Sequence, residues 1–354
     1  MGGEYNQIMI YSANNHFQSL YKKTNPEFGF AAKSTAELTI WQNRFRARLR
    51  EVLGLNRVQD DLKDIRPIAH LVDEEDAGEF IRQRWVLLVE PTVPLPFILL
   101  KPKEIPGLLP LVLTPHGHMK NTELYAGITT SEAEQEFMLE GDRNIAVQAV
   151  REGYLVIAPT ARGFGETRTE QDKAGDKQNS CRDLLMHDLL VGRTPIGDRV
   201  WDISRLLDWA LETLPVDPQR IAITGNSSGG TISLFAAALD ERIKLSAPGS
   251  YFCTFAGSIG SIYHCECNYV PGLLTLGEMP DIAGLIAPRS FIAINGKEDP
   301  IFPIEEVNKA FDHLKKIYTV AGAPENVALY VGQGGHRYYK AGSWPFIRRY
   351  FAQK

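Results

Sequence analysis

The segment Gly225-Asn226-Ser227-Ser228-Gly229 carries the clearest chemistry in this chain. It follows a short apolar run, Arg220–Thr224, and precedes a small, apolar stretch, Thr231–Leu239, that reads as a helix. Gly-x-Ser-x-Gly between a strand and a helix is the setting of a nucleophile elbow, in which the serine hydroxyl is thrust from a tight turn into a cleft. Gly225 and Gly229 remove the Cβ atoms that would crowd such a turn. A serine hydroxyl attacks poorly until a base takes its proton. The expected base is His336, in Gly332-Gln333-Gly334-Gly335-His336 after the last predicted strand. A carboxylate must then fix the imidazole tautomer and offset the imidazolium charge. Asp299, in Asn295-Gly296-Lys297-Glu298-Asp299-Pro300 after another predicted strand, is the candidate, with Glu298 as the alternative. The chain order Ser227, Asp299, His336 is one of the known orders for such a triad.

Acyl transfer through a serine also needs donors for an oxyanion. The backbone N–H of Ser228, opening the elbow helix, and that of His118, in Thr114-Pro115-His116-Gly117-His118-Met119, are expected to serve. His116 reads first as a brace for that loop. Together with Tyr251, Cys253, His264 and Cys265 it is also a candidate for the substrate-pocket wall. The pattern His264-Cys265-x-Cys267 raises a metal site. Zinc sites need further ligands at suitable spacing, and only Cys181 and Cys253 remain in the sequence. Packing or pocket-lining cysteines are the reading taken, with no metal and no organic cofactor.

The elements that must position these groups are legible as short β-prone runs: Leu109–Thr114, Tyr154–Ala158, Arg220–Thr224, Ile243–Ala247, Ser290–Asn295 and Val327–Val331. Helical stretches separate them, such as 198–213, so a mostly parallel sheet with helices on both faces is expected. Phe80–Val89 reads as an antiparallel strand, after which Pro91, Pro94 and Pro96 break the chain. Residues 1–65 read as a helical extension packed on a catalytic domain of residues 66–354. Within that extension Leu38, Trp41, Phe45, Leu49 and Val52 recur at helical spacing, and Gly54 is a stop. The alternating Arg44, Arg46, Arg48 and Arg50 read as a solvated face. Three stretches, 119–143, 164–199 and 251–287, exceed ordinary loop lengths and are expected to form cap-like excursions around a pocket.

The chain has 354 residues, 44% of them hydrophobic, and a formal net charge of −5. There is ample material for a core and no basic block that would track a nucleic acid. Nor is there an apolar run of the roughly 18 residues that would suggest a membrane span. Residues 1–6, Met-Gly-Gly-Glu-Tyr-Asn, lack the basic start and apolar stretch of a secretory signal and the Ser or Thr of a myristoylation motif. With four cysteines, a reduced, cytoplasmic protein is expected, acting on a small-molecule ester and able to form a homo-oligomer through its N-terminal helix.

Asp217-Pro218-x-Arg220-Ile221, Gly225-x-Ser227-x-Gly229-Gly230, the Asp299 turn and Gly335-His336 together resemble the α/β-hydrolase superfamily. Arg162-Gly163-Phe164-Gly165 and the segment from Tyr251 through His264-Cys265-Glu266-Cys267 to Gly272 resemble its acetyl xylan esterase-related, dienelactone-hydrolase-like branch. Where that branch tends to carry Gln after the nucleophile and Glu after the histidine, this chain has Ser228 and Arg337. The resemblance implies an α/β-hydrolase fold and serine esterase activity, often on acetylated sugars. A prolyl-oligopeptidase-like peptidase and a non-catalytic binding protein on the same scaffold are the alternatives.

Overall fold

Among the described residues, nine strands form one sheet in the order β1-β2-β3-β5-β4-β6-β7-β8-β9. They are β1 (Ile68–Asp76), β2 (Phe80–Glu90), β3 (Val93–Pro102), β4 (Leu109–Leu113), β5 (Leu155–Pro159), β6 (Val216–Asn226), β7 (Leu245–Gly249), β8 (Ser290–Gly296) and β9 (Val327–Gly332). The computed structural model describes residues 12–62 and 65–353. The features noted at residues 1–6 lie outside the described residues.

β1, β2, β3 and β5 pair antiparallel in succession, and the pairs from β5–β4 through β8–β9 are parallel. The central strands explain the sequence pattern. β5, β7 and β8 are buried at every position, so they read as unbroken apolar runs rather than as alternation. β1 is exposed almost throughout and carries Asp73, Glu74, Glu75 and Asp76, charges that discourage edge-to-edge pairing.

Pro94 and Pro96 do not break the chain, as their positions suggested; they lie inside β3. The ladder between β3 and β5 begins at Phe97, beyond both prolines, so their missing N–H groups leave no β5 partner unfilled. Similarly, β6 begins at Val216, ahead of the expected Arg220, and takes in Asp217 and Pro218. The helix expected from residue 198 starts at Pro195. Thr194 caps it, accepting from the Gly197 N–H at 3.1 Å, and proline occupies a first-turn position that needs no N–H partner.

Among the N-terminal helices, Thr35–Val52 buries Leu38, Gln42, Phe45 and Leu49. Gln42 donates to the carbonyls of Gly284 and Ala287 at 3.0 and 2.7 Å, and Arg46 to those of Ala238 and Leu285 at 3.0 and 2.8 Å. The four alternating arginines therefore do not share one solvated face. Arg44 and Arg48 are exposed, whereas Arg46 and Arg50, one turn apart, lie half-buried on the docking side. Gly54 ends this segment at φ +79°, where a Cβ would stand 2.5 Å from the Gly192 carbonyl oxygen.

Every parallel strand delivers its C-terminal end to one rim of the sheet, where open α/β sheets place their ligand crevices. The long excursions gather there and contain structure of their own, including the helices Glu132–Glu140, Cys181–Leu190 and Met279–Gly284.

Candidate active site

Ser227 sits between β6 and the helix Ser228–Leu239 with φ 57° and ψ −118°, a conformation that costs a non-glycine residue about 1–3 kcal/mol. Neighbouring groups enforce it. The Ser227 N–H donates to the Gly249 carbonyl at 2.8 Å, and the Ser227 carbonyl accepts from Thr231 N–H at 2.9 Å. Gly225 and Gly229 both press against the Pro115 carbonyl, where neither position has room for a side chain. Gly117 is equally constrained: a Cβ there would lie 2.8 Å from the Asn226 carbonyl oxygen and 3.5 Å from Ser227 Cβ. The loop after β4 is thus laid directly across the elbow.

Asp299 is buried after β8. Its Oδ1 accepts from the N–H groups of Ile301 and Phe302 at 2.9 and 3.3 Å, and its Oδ2 accepts from His336 Nδ1 at 2.8 Å. Glu298, the alternative, points to solvent. The β9 loop that carries His336 is stitched to the β8 loop by Glu298 N–H to Gly334 carbonyl at 3.0 Å, and to the β7 end by Ser250 Oγ to Arg337 carbonyl at 2.9 Å. Phe302 stacks on the imidazole, with ring centroids 5.8 Å apart and planes 16° from parallel. His336 and Ser227 open onto the same cavity, of about 400 Å³. Among the described residues they share no direct hydrogen bond. Such bonds are often long without substrate. The imidazole of His118 also approaches the serine, its Nδ1 3.5 Å from Ser227 Oγ.

The Ser228 N–H, at the first helical position, and the His118 N–H have no acceptor among the described residues. Gly117, His118 and Asn226 line the cavity with Ser227. Behind them, His116 is fully buried. Its Nε2 accepts from the Ala161 N–H at 3.0 Å and its Nδ1 donates to the Gly117 carbonyl at 2.7 Å, while burial pulls its pKa down to about 4. It joins the loop after β4 to the loop after β5, and does not reach the cavity wall.

Of the other pocket candidates, His264 and Cys265 line the cavity. Burial lowers the His264 pKa to about 4, and its Nδ1 accepts from the Asn268 amide at 3.0 Å. Tyr251 and Cys253 do not line it. Tyr251 is packed beneath the elbow helix, its Cβ where a Gly230 side chain would go, and Cys253 is buried with its N–H directed at Met279 Sδ, 3.2 Å away. Both side chains turn into the core beneath the rim and are buried there. The cavity also takes Tyr125, Phe137 and Arg143 from one excursion and Ile262 and Tyr263 from another. The length of those excursions signalled a pocket, but no local pattern marks which of their residues face inward.

Arg162 of the Arg-Gly-Phe-Gly turn braces the site from below. It is buried in a cluster with Asp202, Asp198 and Glu90, reaching Asp202 Oδ1 at 2.6 Å. Burial works against its charge, yet these carboxylates hold its pKa above the ordinary arginine value. The turn presents the Phe164 ring to His116 and His118, with centroids 5.2 and 5.7 Å away.

Comparison with known proteins agrees with this architecture. Residues 169–258, which include the elbow, match the family model of glucuronyl esterases from fungi. The chain is 28% identical over 294 residues to the Bacillus subtilis protein described as "Putative hydrolase YtaP", covering 80% of this chain and 91% of that one. An acetyl xylan esterase from Paenibacillus sp. R4 superimposes with a TM-score of 0.60 at 18% identity, over 96% of this chain and 98% of that one. A CE15 glucuronoyl esterase from Teredinibacter turnerae gives 0.62 at 16% identity, over 93% and 88%. The mostly parallel sheet and its strand-end elbow make this an α/β-hydrolase fold, the fold of the solved esterases to which it is similar.

Proposed function

We propose that the protein is a serine carboxylic-ester hydrolase acting on carbohydrate esters, with Ser227, His336 and Asp299 as its triad. The observation that carries this is the pairing of a strained serine at an elbow with a carboxylate-oriented histidine on the wall of the same cavity. Ser227 Oγ attacks the ester carbonyl as His336 Nε2 takes its proton. The N–H groups of Ser228 and His118 receive the oxyanion, each such donor being typically worth about 2.7–4 kcal/mol of barrier. His336 returns the proton to the departing alcohol, and water then clears the acyl-enzyme through the same base. Asp299, held by two backbone N–H groups, keeps the Nδ1 proton on His336 so that Nε2 faces the serine.

Arg143, Asn226, Tyr125 and Tyr263 give the cavity the polar groups a sugar needs beside its apolar wall. Acetyl is the favoured acyl group, because the excursion carrying Tyr263, His264 and Cys265 sets bulky side chains in the cavity wall. A second reading places the sugar on the acyl side, as a uronoyl ester. The family match spanning the elbow favours it. The test is a panel of acetylated sugars, sugar uronate methyl esters and simple acetyl and octanoyl esters, run with wild type and Ser227→Ala. Turnover of acetyl sugars that vanishes in the variant is expected. Turnover of uronate esters alone would select the second reading, and faster octanoyl than acetyl cleavage would sink the short-acyl assignment. Ester turnover undiminished in Ser227→Ala would end the serine mechanism.

A further inference from the structure

We infer that His118, Cys181, Cys265 and Cys267 form a four-ligand site for a zinc ion beside the nucleophile. The four ligand atoms lie within 4.8 Å of one another. Cys267 Sγ is 3.3 Å from Cys265 Sγ and 3.5 Å from His118 Nε2. Ligand atoms around tetrahedral zinc stand about 3.5–3.8 Å apart, given Zn–S near 2.3 Å and Zn–N near 2.0 Å, so an ion would need only small adjustments. Three thiolates and an imidazole are a soft set that suits zinc. Taken as a sequence, Cys265-x-Cys267 lacked a second ligand pair. The fold supplies it from Cys181 and His118, each remote along the chain, and the ring that joins is His118 rather than the neighbouring His264.

Two features outside the ligands support the assignment. Arg199 is buried, and among the described residues no carboxylate lies within ion-pairing distance of it. Its guanidinium donates to the Arg162 carbonyl at 2.7 Å and to Cys181 Sγ at 3.4 Å. Zinc with three thiolates carries one net negative charge, which this buried cation offsets. The Asn268 amide donates to Cys267 Sγ at 3.6 Å, a second outer contact on sulfur. His118 and Cys265 also line a separate cavity of about 440 Å³ that gives an ion a path from solvent.

With all four positions taken by protein, the ion is structural. It ties together the loop after β4, the helix Cys181–Leu190 and the turn Glu266–Asn268, which belong to three different segments of the rim. It also fixes a tautomer. With Nε2 on the metal, His118 carries its one ring proton on Nδ1, which faces Ser227 Oγ. His118 is then a donor to that oxygen and cannot act as its base, which leaves the base to His336. This last consequence rests on Ser227 being the nucleophile; the metal site does not.

Elemental analysis and cobalt substitution of the full chain test the site. Wild type purified from zinc-supplemented cells should hold about one zinc per chain. Cobalt(II) should give intense visible bands and thiolate-to-cobalt charge transfer. Cys267→Ser should lose both, Cys253→Ser and Ser227→Ala should keep both, and Asn268→Ala should weaken zinc binding about 10–100-fold. Folded wild type that takes up neither metal, or that lacks two of its four thiols because Cys265 and Cys267 are joined, would overturn the site whatever the behaviour of Cys267→Ser. Labelling of Ser227 by a fluorophosphonate reports the hydrolase reading separately. Labelling without metal removes the site alone, and metal without labelling removes only the role given to the His118 ring.

Discussion

Two groups of side chains meet at the cavity and are held there by different means. Ser227, Asp299 and His336 each stand within a few residues of the end of a parallel strand, and the hydrogen-bonded register of β6, β8 and β9 sets their separation. His118, Cys181, Cys265 and Cys267 stand mostly on excursions, far from any ladder, and contact one another through sulfur and imidazole. A sheet positions what lies at its edge without further help. Loops as long as 164–199 and 251–287 need another constraint to hold a side chain in place. Residues just beyond strand ends inherit their placement mainly from backbone pairing, whereas side chains on the long excursions are placed by contacts between segments.

The sharpest way to break the first group is Ser227→Ala, expected to lower kcat at least about 10⁵-fold, read from ester hydrolysis. Asp299→Asn should follow with a loss near 10⁴-fold at unchanged stability, since its backbone contacts keep the geometry while the tautomer is wrong. Arg162→Ala strikes the support beneath both groups. It strands Asp202, Asp198 and Glu90 with less counter-charge and should cost about 3–5 kcal/mol in denaturant unfolding. Gly117→Ala pushes the loop after β4 off the elbow, and about a 10²-fold loss in kcat/KM with little change in unfolding midpoint is expected. The smallest effect sharpens the contrast among cysteines. Burial raises the Cys253 thiol to about 12, so at pH 8 it stays protonated, and iodoacetamide should leave it unmodified in the folded protein, as checked by peptide mass mapping.

The polypeptide itself declared the elbow, the order Ser227, Asp299, His336, and the six β-prone runs of the parallel sheet, because each depends on neighbours only a few residues away. Gly-x-Ser-x-Gly needs small residues at fixed offsets, and a central strand needs an unbroken apolar run. Local chemistry misjudged Pro94 and Pro96, whose tolerance depends on where a partner strand begins, and the alternating arginines, whose burial depends on what the helix docks against. Folding alone decided that Tyr251 and Cys253 are packed away from the cavity, and that His118 joins Cys181, Cys265 and Cys267. These outcomes turn on contacts between residues far apart in the chain, fixed only when the sheet brings its strand ends to one rim.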